Sequence, residues 1–214
     1  MTQVEIRQPS STVRFASRRL CTSAQGYDFI HSSTIPAVPA FDPKQWNENQ
    51  VDWYLLQNGY VTKFWSTQVL GETVSWLRQA KYEIVEMDTS KWLSELDAHR
   101  DFAVAFSFPD YYGNNLSALA DCLDDVALYS YGADQEATGT VLILGNYDRF
   151  SQRDGGLAEA LLDIFAGSAR RALLVGHRMM CLVQSNNPMI EFSPVGATPV
   201  VWNSKEFLDS KRRP

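Results

Sequence analysis

Cysteine is scarce in this chain: three residues, Cys21, Cys122 and Cys181, in a length of 214. They are too few and too scattered for a disulfide framework or a zinc site, and they fit reduced thiols in the cytoplasm. Long apolar runs are missing. The longest spans only a handful of residues, which excludes a transmembrane helix and a membrane partner. The first twenty residues hold no apolar stretch of signal-peptide length, so classical secretion is not expected. A nucleophile elbow, a Gly-rich phosphate loop and a paired catalytic base are absent too, so an enzyme is not expected. His31, His99 and His177 have no acid or cysteine at ligand spacing, and no metal or cofactor is implied. A positive balance is lacking as well. With 25 acids against 19 bases the net charge is −6, which argues against direct nucleic-acid binding.

What remains is an ordinary soluble composition, 45 % hydrophobic and 21 % charged, with a surplus of aromatics. Residues 1–43 differ from the rest. They are rich in Ser, Thr, Arg and Pro and show neither helical nor strand period, so they are expected to form a flexible or peripheral arm. Residues 44–80 hold a strand, Tyr60–Trp65, and a helix with Val69, Leu70, Val74 and Leu77 at helical spacing. They are expected to pack on the core as a strand–helix extension, with the strand at one edge of the sheet.

Tyr82–Asp88 alternates as a strand. Gly139–Tyr147 is a continuous apolar run suited to a buried parallel strand, and His177–Gln184 is a further strand. Between them lie helices. Asp88, Thr89 and Ser90 offer N-caps for one carrying Trp92, Leu93 and Leu96. Phe102–Phe108 fits helix or strand equally. Leu116, Leu119, Ala120 and Leu123 form one apolar stripe behind an N-cap at Asn115, with Gly113 as a permissive turn residue. Leu157, Leu161, Ile164 and Phe165 line a longer helix. Residues 188–214 contain an extended, proline-bearing segment and a short final helix or tail. Strands separated by helices require crossovers, so the class is α/β with a small, mainly parallel sheet and flanking helices.

Basic residues are missing from one long window. Between Arg100 and Arg149 no Lys or Arg occurs, while eight acids do: Asp101, Asp110, Asp121, Asp124, Asp125, Asp134, Glu136 and Asp148. The protein's acidity is therefore regional. The same window carries Phe108, Tyr111, Tyr112, Tyr129, Tyr131 and Tyr147, and acids beside aromatics read as a recognition surface for a cationic protein.

At Phe108–Val126 the run FPDYYGNNLSALADCLDDV resembles the signature of the barstar family, intracellular inhibitors of a microbial ribonuclease. The match includes Pro109, Asp110, Tyr111, Tyr112, Gly113, Asn115, Leu116, Ala118, Leu119, Asp121, Cys122 and Leu123, and the flanking strands and helices follow in the family's order over about residues 81–186, within a barstar-like domain expected over 81–187. The resemblance implies a barstar-like fold with N- and C-terminal extensions, the latter over residues 188–214. It also implies a function: an immunity protein that occludes the active site of a cationic, secreted ribonuclease or nuclease toxin in the cytoplasm of the producing bacterium. In that reading Asp121 takes the place of a substrate phosphate, Tyr111 packs on the enzyme's catalytic groups, and Gly113 and Asn115 shape the loop. Ser117 stands where the family has an acid, and Asp124 and Asp125 supply charge. Two other readings stay open: a non-inhibitory protein-binding or scaffold module on the same fold, and an α/β enzyme built around the Asp148 loop.

Overall fold

The computed structural model describes residues 39–42, 44 and 50–213. The arm over residues 1–38, with Cys21 and His31, lies outside the described residues, as does Trp46. Ile35–Pro214 form one compact unit.

The central strands form because apolar, β-branched runs can be buried on both faces. β3 (Gly139–Gly145) and β4 (Arg178–Gln184) are covered on both sides along nearly their whole length. β2 (Glu83–Asp88) pairs with β3 and β3 with β4, all parallel, as the sequence indicates. β1 (Val61–Phe64) pairs with β4, also parallel. It does not form an edge. The C-terminal extension adds β5 (Val201–Trp202) outside it, giving a five-stranded, all-parallel order β2-β3-β4-β1-β5.

The reason is a carboxylate far away in sequence. Glu206, almost fully buried, accepts hydrogen bonds from the Trp65 and Ser66 backbone N–H groups at 3.0 and 2.8 Å and from Asn203 Nδ2. Those N–H groups open α2 (Thr67–Gln79), where an anion is favoured. Glu206 thereby ties the extension to the carboxyl end of β1.

α1 (Val51–Gln57), a helix the sequence pattern did not disclose, and α2 cover one face of the sheet through Leu55, Val74 and Leu77. The other face carries α3 (Glu95–Ala105), α4 (Leu116–Ala127), α5 (Tyr147–Arg153) and α6 (Gly155–Leu174) over the main core. The expected caps at Asp88–Ser90 serve only a 3₁₀ turn, Thr89–Lys91, whose Ser90 N–H is bound by Asp88. α3 starts later, where the Asp97 carboxylate accepts from the Leu93 and Ser94 N–H groups. The ambiguous Phe102–Phe108 run splits between the end of this helix and a turn in which Ser107 has a positive φ. The tail is a 3₁₀ turn at Asp209–Lys211.

At the first described residues, Arg178 stacks 4.0 Å over the Phe41 ring, donates to the Ala40 carbonyl and pairs with Asp52 at 2.9 Å.

Candidate partner-binding surface

The candidate site is the loop 109–115 and the outer face of α4. A ladder of rings carries the loop on the core. Trp92, Phe102, Phe106, Phe108 and Tyr112 follow one another at centroid spacings of 6.1, 6.1, 6.2 and 4.9 Å. The ladder ends in a buried polar relay. The Glu95 carboxylate can only accept, so His99 Nε2–H donates to it at 3.1 Å. That leaves His99 Nδ1 to accept from the Tyr112 hydroxyl at 2.5 Å. Burial pushes the Tyr112 phenol well up, so it stays a neutral donor. Tyr112 is thus turned inward. Tyr111 faces out with 83 % of its surface exposed.

The loop closes on α4 through Asn115, whose Oδ1 accepts from the Ala118 N–H at 2.9 Å and whose Nδ2 donates to the Gly113 carbonyl at 3.1 Å. This corrects the role expected for Gly113. The left-handed residue here is Asn114, with φ of 47°. Gly113 is needed for room, since a Cβ would lie 2.9 Å from Asn115 Nδ2.

α4 lies flat on the core. Leu119, Cys122, Leu123, Val126 and Ala127 are buried, so the helix is held rigidly and its opposite face is fixed in space. Ser117 and Asp121, four residues apart, occupy that face and are exposed. The Asp121 carboxylate has no hydrogen bond or ion-pair partner among the described residues.

The neighbouring acids behave differently. Asp125 is half-buried next to Tyr131. Its carboxyl is pushed up chiefly by burial and further by the charge of Asp124, with the Tyr131 hydroxyl acting the other way. Asp124 turns to α6 and not to the face of Ser117 and Asp121. Its Oδ1 accepts from Ser168 Oγ at 2.7 Å and Arg171 Nε at 2.8 Å, and its Oδ2 lies 2.6 Å from Arg171 Nη2. The pair clamps α4 to α6 and neutralises that charge within the chain.

The eight-acid window divides in the same way. Asp101 accepts from Trp92 Nε1, Asp134 from the Glu136 N–H, and Asp148 from the Asn186 N–H. Asp110, Asp121 and Glu136 are exposed, with no bond to their carboxylates among the described residues.

The sequence placed Tyr131 among the aromatics of the acidic window without showing its contacts, and gave no sign of Arg171. The Tyr131 hydroxyl donates to the Cys122 carbonyl at 3.3 Å and its ring packs 6.2 Å from Phe108. Arg171 is 47 positions from Asp124; no local pattern announces either contact. One histidine departs from the sequence reading, which found no acid at ligand spacing: Glu95 stands four residues before His99 and bonds it, while His31 lies outside the described residues. His99 serves the loop, and His177 is buried between Thr140 and the Ala127 carbonyl and stacked on Tyr129.

Among the described residues no helix is long and apolar enough to cross a membrane. No curated protein matches the chain. Residues 82–184, from the residue before β2 to the last residue of β4, match the family Barstar (barnase inhibitor), so that segment of the chain is similar to the barstar family.

Proposed function

We propose that the protein is an inhibitor that binds a cationic bacterial ribonuclease, or a related nuclease toxin, and occludes its active site. One observation carries the reading: an unpartnered, exposed carboxylate, Asp121, on a helix fixed to the core, beside the outward-facing Tyr111. A nuclease site collects Arg, Lys and His to hold phosphate, and a preorganised carboxylate satisfies the same donors with charge-assisted hydrogen bonds. A carboxylate that bonds to none of the described residues gives up no bond to them on binding. Tyr111 supplies a large, stiff apolar surface at low entropic cost. Gly113, Asn115 and Ser117 frame the contact, and Asp110 adds negative charge at its margin.

Asp125 lies at the buried end of the same face. Asp124 acts within the fold, and its capture by Arg171 makes the surface less acidic than the sequence implies. That capture is the observation favouring the second reading, a protein-binding module that does not inhibit a nuclease. Asp148, around which an enzyme could be built, is buried and holds the Asn186 N–H at 3.0 Å. The proposed setting is the cytoplasm of the bacterium that makes the toxin, where the role is self-protection.

The test is co-purification of the protein with basic nucleases from that bacterium, followed by an RNase assay. Stoichiometric inhibition that weakens with added salt supports the proposal. Binding without inhibition supports the second reading.

A further inference from the structure

A cavity of about 610 Å³ lies on the far side of the sheet from α4, outside residues 82–184. Its floor is the face of β1 and β5 that carries Thr62, Phe64 and Val201, and its walls are Leu55 of α1 and Trp76 of α2. Phe207, in the turn after β5, closes one end. The volume falls within the range of small-molecule sites.

Three features define what would fit. The lining is dominated by rings and aliphatic groups, and Phe207 at its margin is 64 % exposed, an apolar surface that a bound ring would cover. Thr62 is 5 % exposed, yet its hydroxyl has no hydrogen-bond partner among the described residues. Strand alternation turns Lys63 to the opposite face, where its Nζ donates to the Ile190 carbonyl at 2.9 Å, and therefore turns Thr62 into the cavity. The two charged lining residues, Glu72 and Lys205, pair with each other at 2.8 Å. An ionic ligand would find no counter-charge there and would lose its hydration.

We propose that this cavity binds a neutral, ring-bearing small molecule whose single hydrogen-bonding group meets the Thr62 hydroxyl. The site and the Asp121 surface lie on opposite faces of the sheet, so this inference stands whether or not the protein inhibits a nuclease.

The test is titration of the full chain with N-phenyl-1-naphthylamine, a neutral dye that fluoresces in apolar surroundings. The anionic 8-anilinonaphthalene-1-sulfonate runs in parallel. A saturable single-site rise with the neutral dye, accompanied by energy transfer from tryptophan, is expected. Thr62→Val should weaken it roughly three- to tenfold, the worth of one hydrogen bond. Thr73→Phe on α2 and Ser204→Phe after β5 fill the space from two sides, and each should abolish binding while the melting curve shows a folded protein. The inference is overturned by an absence of saturable binding to the wild-type chain, or by unchanged binding in a folded filling variant. Binding of the anionic dye alone also overturns it. So does self-association that disappears in the filling variants without dye binding, which would assign the cavity to a second copy.

Discussion

Acid should destabilise this protein through one identifiable group. His177 is buried with its Nδ1–H donating to the Ala127 carbonyl at 3.1 Å, its Nε2 3.0 Å from Thr140 Oγ1 and its ring 4.1 Å from Tyr129. No carboxylate among the described residues bonds the ring directly, since Glu83 reaches Thr140 Oγ1 and not the imidazole, and burial lowers its pKa from 6.5 to about 4. The unfolded chain takes up a proton below about pH 6.5, whereas the native state refuses it until about pH 4. The stabilisation is therefore complete above the unfolded value and is lost as pH falls through that window. The loss is about 2 kcal/mol by about pH 5 and on the order of 3 kcal/mol in full. Urea unfolding midpoints taken between about pH 8 and about pH 5 would measure it. His177→Asn keeps a donor for the Ala127 carbonyl but cannot titrate. It should be less stable at every pH and should lack the decline specific to the wild type. Asp125, pushed up by burial, contributes with the opposite sign, but equally in both proteins. Parallel profiles for wild type and variant would refute the reasoning.

Other sites give sharper steric and polar tests. Gly132→Ala places a Cβ 2.0 Å from the Phe106 carbonyl oxygen at a φ of 68°; a loss above about 2 kcal/mol is expected in a melting experiment. Glu206→Ala strips the Trp65 and Ser66 N–H groups of their acceptor. It should cost about 2–3 kcal/mol and speed amide exchange in β1 and β5 before the rest of the sheet. Asp124→Asn should lower stability by about 1 kcal/mol, the pair with Arg171 being partly exposed. It should leave affinity for a nuclease partner nearly unchanged, and a large loss of affinity would return Asp124 to the binding surface.

The parts legible in the sequence are those whose cause is local. Asn115 caps α4 by accepting from the Ala118 N–H three residues on, and Leu119 and Leu123 announce the buried stripe by spacing alone. β3 is readable because six consecutive positions are buried. The arrangement of Tyr111 outward and Tyr112 inward follows from adjacent residues entering a helix from opposite sides.

The misreadings come from long-range partners. Nothing in the strand pattern marks Lys63 as buried, yet Ile190, Glu191 and Trp202 from the C-terminal extension enclose it. Burial lowers its pKa and Glu191 counters that. β5 has two residues and no period of its own; it exists because Glu206 reaches back 140 positions. Asp124 and Asp125 are neighbours in a chain of acids, yet one faces α6 and the other Tyr131, since successive helical positions turn by about 100°. A charge map drawn along the sequence cannot separate them.

Asp121 is proposed as the focus of nuclease binding, and its removal tests that role. The affinity of wild type and Asp121→Ala for the co-purifying ribonuclease should be compared by surface-based kinetics, with melting curves alongside. The carboxylate would be desolvated against the enzyme's Arg and Lys groups, so its removal should cost on the order of 2–5 kcal/mol, chiefly as faster dissociation. As an exposed helix residue away from the apolar stripe, it should change folding stability by no more than about 0.5 kcal/mol. A folded Asp121→Ala protein that binds the ribonuclease as tightly as wild type would contradict the account.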